Sequence, residues 1–461
     1  MSPRTRNNHL VTLLTVARWS FSETARQINL RAMALGHRGV AVDKSRVSRW
    51  IAGERPRPPV GQILAEVLGE HLGRHLSPAH LGLADSWEDP LAPGWSADTM
   101  VESLQTFTGS DLMLDRRDML TFTLGVSLAA TTTRLWNLPP AAPSAGTAHR
   151  FDADTLDQLE ILIRHWRAAD DTHGGALFCS AVVAQLHAVA QNLNDQPHNA
   201  LTTRLYTIVA DLAGLAGWMS HDIEKFGSAQ RYWTFGLMAA REAGQHGRGA
   251  ELISRMAHQM MYFGRPADAL DLLDVADRAA AGHDNQRLRA MLTAQRGRML
   301  AATGNGRHSQ YSLAYAADLL ATAEQQHEPV PDWIAYFSAA ELAGATAVSR
   351  RDLREQHDQN IGLASTAFAD AVTLREPRYR RCRAMDLVGQ AAALLTESDP
   401  QQACTVAQTA LSAAGHLDSA LIRSRILTLT DAAGPFQHHP DVLSLRDQIH
   451  PWTGPSNIPA A

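Results

Sequence analysis

Apolar positions recur along most of the chain at helical spacing, three or four residues apart, and not in the alternation of a strand. In the first stretch, Leu10, Leu13, Leu14 and Ala17 predict a short amphipathic helix over 8–18. Ser20-Phe21-Ser22-Glu23 follows as an S-x-x-E capping box. Its serine hydroxyl is expected to accept from the Glu23 N–H, and its glutamate to return to the N–H of Ser20. Behind it, Ala25, Ile28, Ala32 and Leu35 predict the inner face of a second helix ending near Gly36. Asp43 is a good N-cap for a third helix over 44–52, stopped by Gly53. A fourth, over 60–72, carries Ile63, Leu64, Val67 and Leu68 inward.

The third helix divides by chemistry. Val47, Trp50 and Ile51 fall on one face, while Lys44, Ser45, Arg46, Ser48 and Arg49 occupy the others. Cations in a first helical turn oppose the helix dipole, so they add nothing to helix stability and point to a ligand-facing role. Arginine grips guanine O6 and N7 with two donors, and serine and lysine suit base edges or phosphate. The proline-stiffened loop behind this helix holds Arg55 and Arg57, expected on phosphate. Arg4 and Arg6, on the N-terminal arm, are placed either in a minor groove or in a disordered tail.

Charge sharpens the picture. Residues 1–83 carry 12 Arg/Lys against 5 Asp/Glu, a balance of +7; the whole chain is at −5, which leaves −12 for the rest. A basic head on an acidic body is expected of a phosphate-binding module joined to one that does not meet phosphate. The basic residues are nearly all arginine, which we read as coding bias.

The stretches SETARQINLRAMALG, VDKSRVSRWIAGERPRPPVGQILAEVLGEHLGR and LSPAHLGL resemble the lambda-repressor-type (XRE) helix-turn-helix of bacterial regulators that carry a tetratricopeptide-repeat domain; VSRWIAGERPRPP is the most specific part. The segment before the third helix is longer than the tight turn of the minimal motif. The resemblance implies a DNA-binding head over 1–83. It leaves open which of Lys44 to Arg49 would touch bases.

Residues 84–150 read as a turn-rich, Pro/Ala/Gly-containing linker with one helix over about 113–130. Within it, Arg116-Arg117 before an apolar run looks like a twin-arginine export signal, but so far from the N-terminus it is expected to be a buried or docking helix. From Phe151 to about 450 the sequence is helix after helix, and 451–461 is expected to be a disordered tail. Small residues recur at offsets of 12 and then 7: Gly217, Ala229 and Gly236; Ala257, Ala269 and Ala276; Gly297, Ser309 and Ala316; and, out of period, Ala391, Ala403 and Ala410. Gly264 and Gly304 fall at the intervening turns, and 324–380 fit poorly. Such sites let paired helices approach closely, and their recurrence predicts a tetratricopeptide-like α-solenoid with a concave face. Trp218, His221, His258, Met261, Tyr262 and Arg298 lie near that face, with Trp333 and Tyr336 further along; for each, repeat packing or solvated surface competes with ligand binding.

The expected architecture is therefore all-α, a small helix-turn-helix domain plus a solenoid. No phosphate loop, H-E-x-x-H or G-x-S-x-G occurs, so no enzyme, metal or cofactor is expected. The three cysteines, Cys179, Cys382 and Cys404, show no ligand spacing, and no apolar run is long enough to span a bilayer. The expected protein is a cytoplasmic, homodimeric, double-stranded-DNA-binding transcriptional regulator. Its body would take a peptide, a small effector or a protein partner. The alternatives are a DNA-anchored scaffold or replicon-maintenance factor, and an adaptor that binds protein only.

Overall fold

The computed structural model describes residues 7, 10, 14, 17, 19–34, 40–54, 56, 60–71, 81, 83, 100, 101, 103–105, 107, 108, 151–191, 193, 200–282, 285–355 and 363–453. Among these no strand occurs, and the chain divides into two compact units, 1–94 with 117–125 and 95–116 with 126–461. Among the described residues no helix is long and apolar enough to cross a membrane.

The first unit holds α1 (Phe21–Ala34), α2 (Lys44–Ile51) and α3 (Val60–His71). Its core joins Leu10, Leu14 and Ala17 to Ile28 of α1, Val47 and Trp50 of α2, and Ile63, Leu64 and Leu68 of α3. The predicted helix starts hold. Ser20 Oγ accepts from the Glu23 N–H at 3.1 Å, and Asp43 Oδ1 accepts from the Arg46 N–H at 2.9 Å. The returning half of the capping box does not form. The Glu23 carboxylate instead accepts from Arg26 and Gln27 on its own helix, and those bonds hold it down at about 2. A guanidinium and an amide about one turn away outcompete a single backbone N–H for that carboxylate. After α2, Gly53 adopts φ +92°, with its N–H on the Trp50 carbonyl, as a helix stop requires.

The second unit is a run of paired helices: α4 (Ala153–His173), α5 (Cys179–Ala190), α6 (Ala200–Asp222), α7 (Phe226–Glu242), α8 (His246–Tyr262), α9 (Pro266–Ala280), α10 (Gln286–Ala302), α11 (Gly306–Gln325), α12 (Ala339–Glu355), α13 (Ala364–Leu374), α14 (Arg380–Thr396), α15 (Pro400–Ala414), α16 (Ala420–Ala432) and α17 (Pro440–Ile449). Most consecutive helices pack on each other, as do alternate ones such as α10 with α12. All twelve small residues singled out above are buried. In each set the first lies on one helix and the other two on the next: α6 and α7, α8 and α9, α10 and α11, α14 and α15. A Cβ on Gly217 would stand 2.4 Å from Trp233 Nε1, and one on Gly297 2.8 Å from Leu313 Cγ, so close approach forces these glycines.

The constant offset of 12 has a local cause. Each of these pairs is joined by three residues, and the middle one has positive φ: Glu224, Gly264, Gly304 and Ser398. The next N–H closes back on the preceding helix, as Arg265 does on Met260 and Asp399 on Leu394, both at 2.9 Å. Residues 324–380 break the pattern because α12 and α13 are separated by 356–363, so the register between them shifts.

Two boundaries differ from expectation. Within the stretch read as linker, Met100, Val101, Leu104 and Phe107 are helical and buried on the second unit, with Phe107 against Tyr232 at 5.0 Å and Thr108 Oγ1 2.7 Å from His187 Nδ1. The helix expected over 113–130 lies outside the described residues. At the other end the chain stays packed past 450: His450–Thr453 is a 3-10 turn whose Trp452 packs on the last core cluster and whose carbonyl accepts from Arg423 at 3.0 Å.

Candidate functional site

The helical array of the second unit curls back on itself. The start and the end of the second unit meet: the Asp418 N–H donates to the His173 carbonyl at 2.9 Å, and Arg381 on α14 bonds Asp170 on α4 at 2.9 Å. Asp222, at the end of α6, accepts from the Gly175 N–H and from Ser419 Oγ, and lies 3.8 Å from Arg381. Burial pushes the Asp170 carboxyl up, against the pull of Arg381. These contacts close the helical array around a cavity of about 800 Å³.

Trp218, His258, Tyr262 and Arg298 all line this cavity, as do Met261, Trp333 and Tyr336. They come from α6, α8, α10 and the segment before α12. Trp218 is flanked by two guanidinium groups, Arg255 at 5.3 Å and Arg381 at 5.2 Å from its ring centre. Arg255 donates to Glu251, which also accepts from the Tyr336 hydroxyl at 3.4 Å. Tyr262 donates to Glu224 at 3.1 Å.

His221 is the exception. One turn beyond Trp218, it points away from the cavity and is fully buried, packed by Phe226, Trp233 and Tyr262. Its Nε2 has no hydrogen-bond partner, and burial lowers its pKa to about 3, so it stays neutral. Burial, and then Arg298, likewise holds His258 well below the ordinary histidine range. Two carboxyl groups of the lining move the other way: burial raises Asp171 to about 7 and Asp386 to about 6, the latter beside Arg375.

No repeat pattern announced Arg255, Arg381, Asp170 or Asp222. The contacts of Arg381 with Asp170 and Asp222 join residues 211 and 159 positions apart, and only closure of the array brings them together. Asp170 is buried and its neighbour Asp171 half-buried, and both line the cavity. The described residues contain no cluster of metal-ligating side chains, and all three cysteines are free.

In the first unit, α2 presents Lys44, Ser45, Arg46, Ser48 and Arg49 to solvent while Val47 and Trp50 are buried. Two of the five are engaged: Ser45 Oγ donates to Asp43 at 2.7 Å, and Arg46 Nη1 donates to the Ala41 carbonyl at 3.0 Å. Lys44, Ser48 and Arg49 make no side-chain hydrogen bond or ion pair among the described residues. Arg4, Arg6, Arg55 and Arg57 lie outside the described residues.

A family model described as the SP15 N-terminal domain matches residues 10–84. It is neither a lambda-repressor-type nor a tetratricopeptide family, and its description names no activity or ligand. No curated protein and no solved structure matches the chain.

Proposed function

We propose that the chain is a sequence-specific DNA-binding transcriptional regulator, with a helix-turn-helix head over 1–83 and a tetratricopeptide-like body that binds an effector. The observation that carries the reading is α2. It is a short, Asp43-capped helix anchored by Val47 and Trp50, and its exposed faces hold three cationic side chains. A helix fixed from behind, with Lys44 and Arg49 left for a partner, suits insertion into a major groove. The family match over 10–84 supports treating this stretch as a module. One such module buries little surface, so a homodimer reading paired half-sites is the expected form.

The body supports sensing more than scaffolding. Its helices surround a partly open cavity lined by aromatic and charged groups, the form of a small-molecule site. Coupling between effector and DNA is expected to be about 1–3 kcal/mol. Among the described residues no catalytic constellation stands out, and a cytoplasmic location accords with a DNA-binding role. In vitro selection of duplex DNA from a random pool with the full chain tests the reading. Enrichment of a two-fold motif, with affinity falling steeply with salt, is expected. A pool that remains random through the selection contradicts it.

A further inference from the structure

The cavity wall contains ten arginines and nine carboxylic acids. Eight of the arginines are ion-paired. Arg298, on α10, and Arg425, on α16, are not: neither makes an ion pair or a side-chain hydrogen bond among the described residues. Arg298 Nε is buried with no acceptor at all. Arg425 has only the face of Tyr262, 5.9 Å from its guanidinium carbon. The nearby acids are committed elsewhere, Glu341 to Arg375 at 2.7 Å and Asp352 to Arg351 at 2.7 Å.

Two half-buried cations without an ion pair are unfavourable, and an anionic ligand between them would offset that cost. Burial pulls both guanidinium groups below their ordinary range; Glu341 and Asp352 offset this in part for Arg298, and Tyr262 and Asp352 for Arg425, while Arg351 repels each. Both line the same cavity and neither is ion-paired among the described residues, so both favour the arrival of negative charge. An oxyanion suits them: the guanidinium fork donates two parallel hydrogen bonds to carboxylate or phosphate oxygens. Beside them stand Tyr262 and Trp218, the latter with its ring already between two guanidinium groups. A volume of about 800 Å³ is that of a small-molecule site.

We infer that the cavity binds a small amphiphilic anion, its carboxylate, sulfonate or phosphate held by Arg298 and Arg425 and its ring or apolar body against Trp218 and Tyr262. The inference rests on the reading of the body as an effector domain and names the effector's chemistry. It is tested without DNA, so its failure leaves the DNA reading standing, and the reverse.

The experiment titrates the full chain with two fluorescent probes of similar shape, the anionic 8-anilino-1-naphthalenesulfonate and the neutral N-phenyl-1-naphthylamine. The expected result is saturable one-site binding of the sulfonate, about tenfold tighter than the neutral probe. Arg298→Met and Arg425→Met should each weaken the sulfonate by about tenfold and leave the neutral probe within about twofold. Arg298→Lys, which keeps the charge, should recover part of the loss. Circular dichroism melts establish that each variant is folded, and if one methionine variant is not, the other and Arg298→Lys decide. Equal affinity for both probes, absence of saturable sulfonate binding, or folded methionine variants that bind the sulfonate like the parent chain would overturn the inference.

Discussion

Asn29 and Val42 exchange two hydrogen bonds across thirteen residues: Asn29 Nδ2 donates to the Val42 carbonyl at 2.8 Å, and the Val42 N–H donates to Asn29 Oδ1 at 2.9 Å. The side-chain amide thus stands in for a strand partner and pins the chain to α1 just before the Asp43 cap starts α2. The orientation of the proposed reading helix depends on this clamp. The segment before it is longer than a minimal helix-turn-helix turn, so such a tie is needed to hold α2 against the core.

Asn29→Ala should therefore leave two backbone groups of the buried Val42 without partners and cost about 1–3 kcal/mol. Urea unfolding followed in the first unit measures it, and specific DNA affinity should fall with it. A loss below about 0.3 kcal/mol would show that the clamp does not hold the helix.

Closure of the body rests on Arg381 between Asp170 and Asp222. Arg381→Met should strand two buried carboxylates and destabilise the chain by about 3–5 kcal/mol. Adding Asp170→Asn should recover part of this, because one uncompensated charge is then gone. Differential scanning calorimetry of the two variants checks the pair; no recovery in the double variant would mean that Arg381 acts by packing on Trp218 alone.

Asp171 sets a pH dependence with a definite sign. Its folded pKa, raised by burial to about 7, exceeds the ordinary 3.8 of an exposed aspartate. Between these values the folded chain holds a proton that the unfolded chain has released, so this group's contribution falls as pH rises from about 4 to about 7. Asp171→Asn removes the titration. Its melting temperature should match that of the parent near pH 4 and exceed it increasingly up to about pH 7. The neutral His221 and His258 affect both proteins alike. A difference between the two that stays constant over this range would refute the assignment.

Ser398 sits at φ +65° in a three-residue turn where Gly264 and Gly304 occupy the equivalent positions. Its side chain is exposed. Ser398→Gly should relieve the left-handed strain and stabilise by about 0.5–1 kcal/mol, despite the added freedom of the unfolded chain. Chemical denaturation measures it; destabilisation would mean that the turn is not under strain.

Helix ends and the small-residue sets were legible because each is a local matter. Ser20 and Asp43 cap within three residues, and the offset of 12 reflects a three-residue turn repeated four times. Trp218, His258, Tyr262 and Arg298 were legible as neighbours of one face because their helices repeat. His221 was not separable from Trp218 by spacing alone, since one turn along a helix is enough to move a side chain from the cavity into the packing behind it. The ion pairs that close the array and the unpaired state of Arg298 and Arg425 depend on contacts across hundreds of residues, for which no local pattern exists.

The central claim, that α2 reads DNA, is tested most directly by genome-wide immunoprecipitation of the tagged full chain beside its Arg46→Ala/Arg49→Ala variant. Arg49, which has no side-chain partner among the described residues, should contribute the larger part, with about 1–3 kcal/mol lost at specific sites. The account predicts discrete peaks over promoters that share a two-fold motif and vanish in the variant at equal expression. Peaks unchanged in the variant, or none with the parent chain, would contradict it and turn attention to a protein partner for the exposed face of α2.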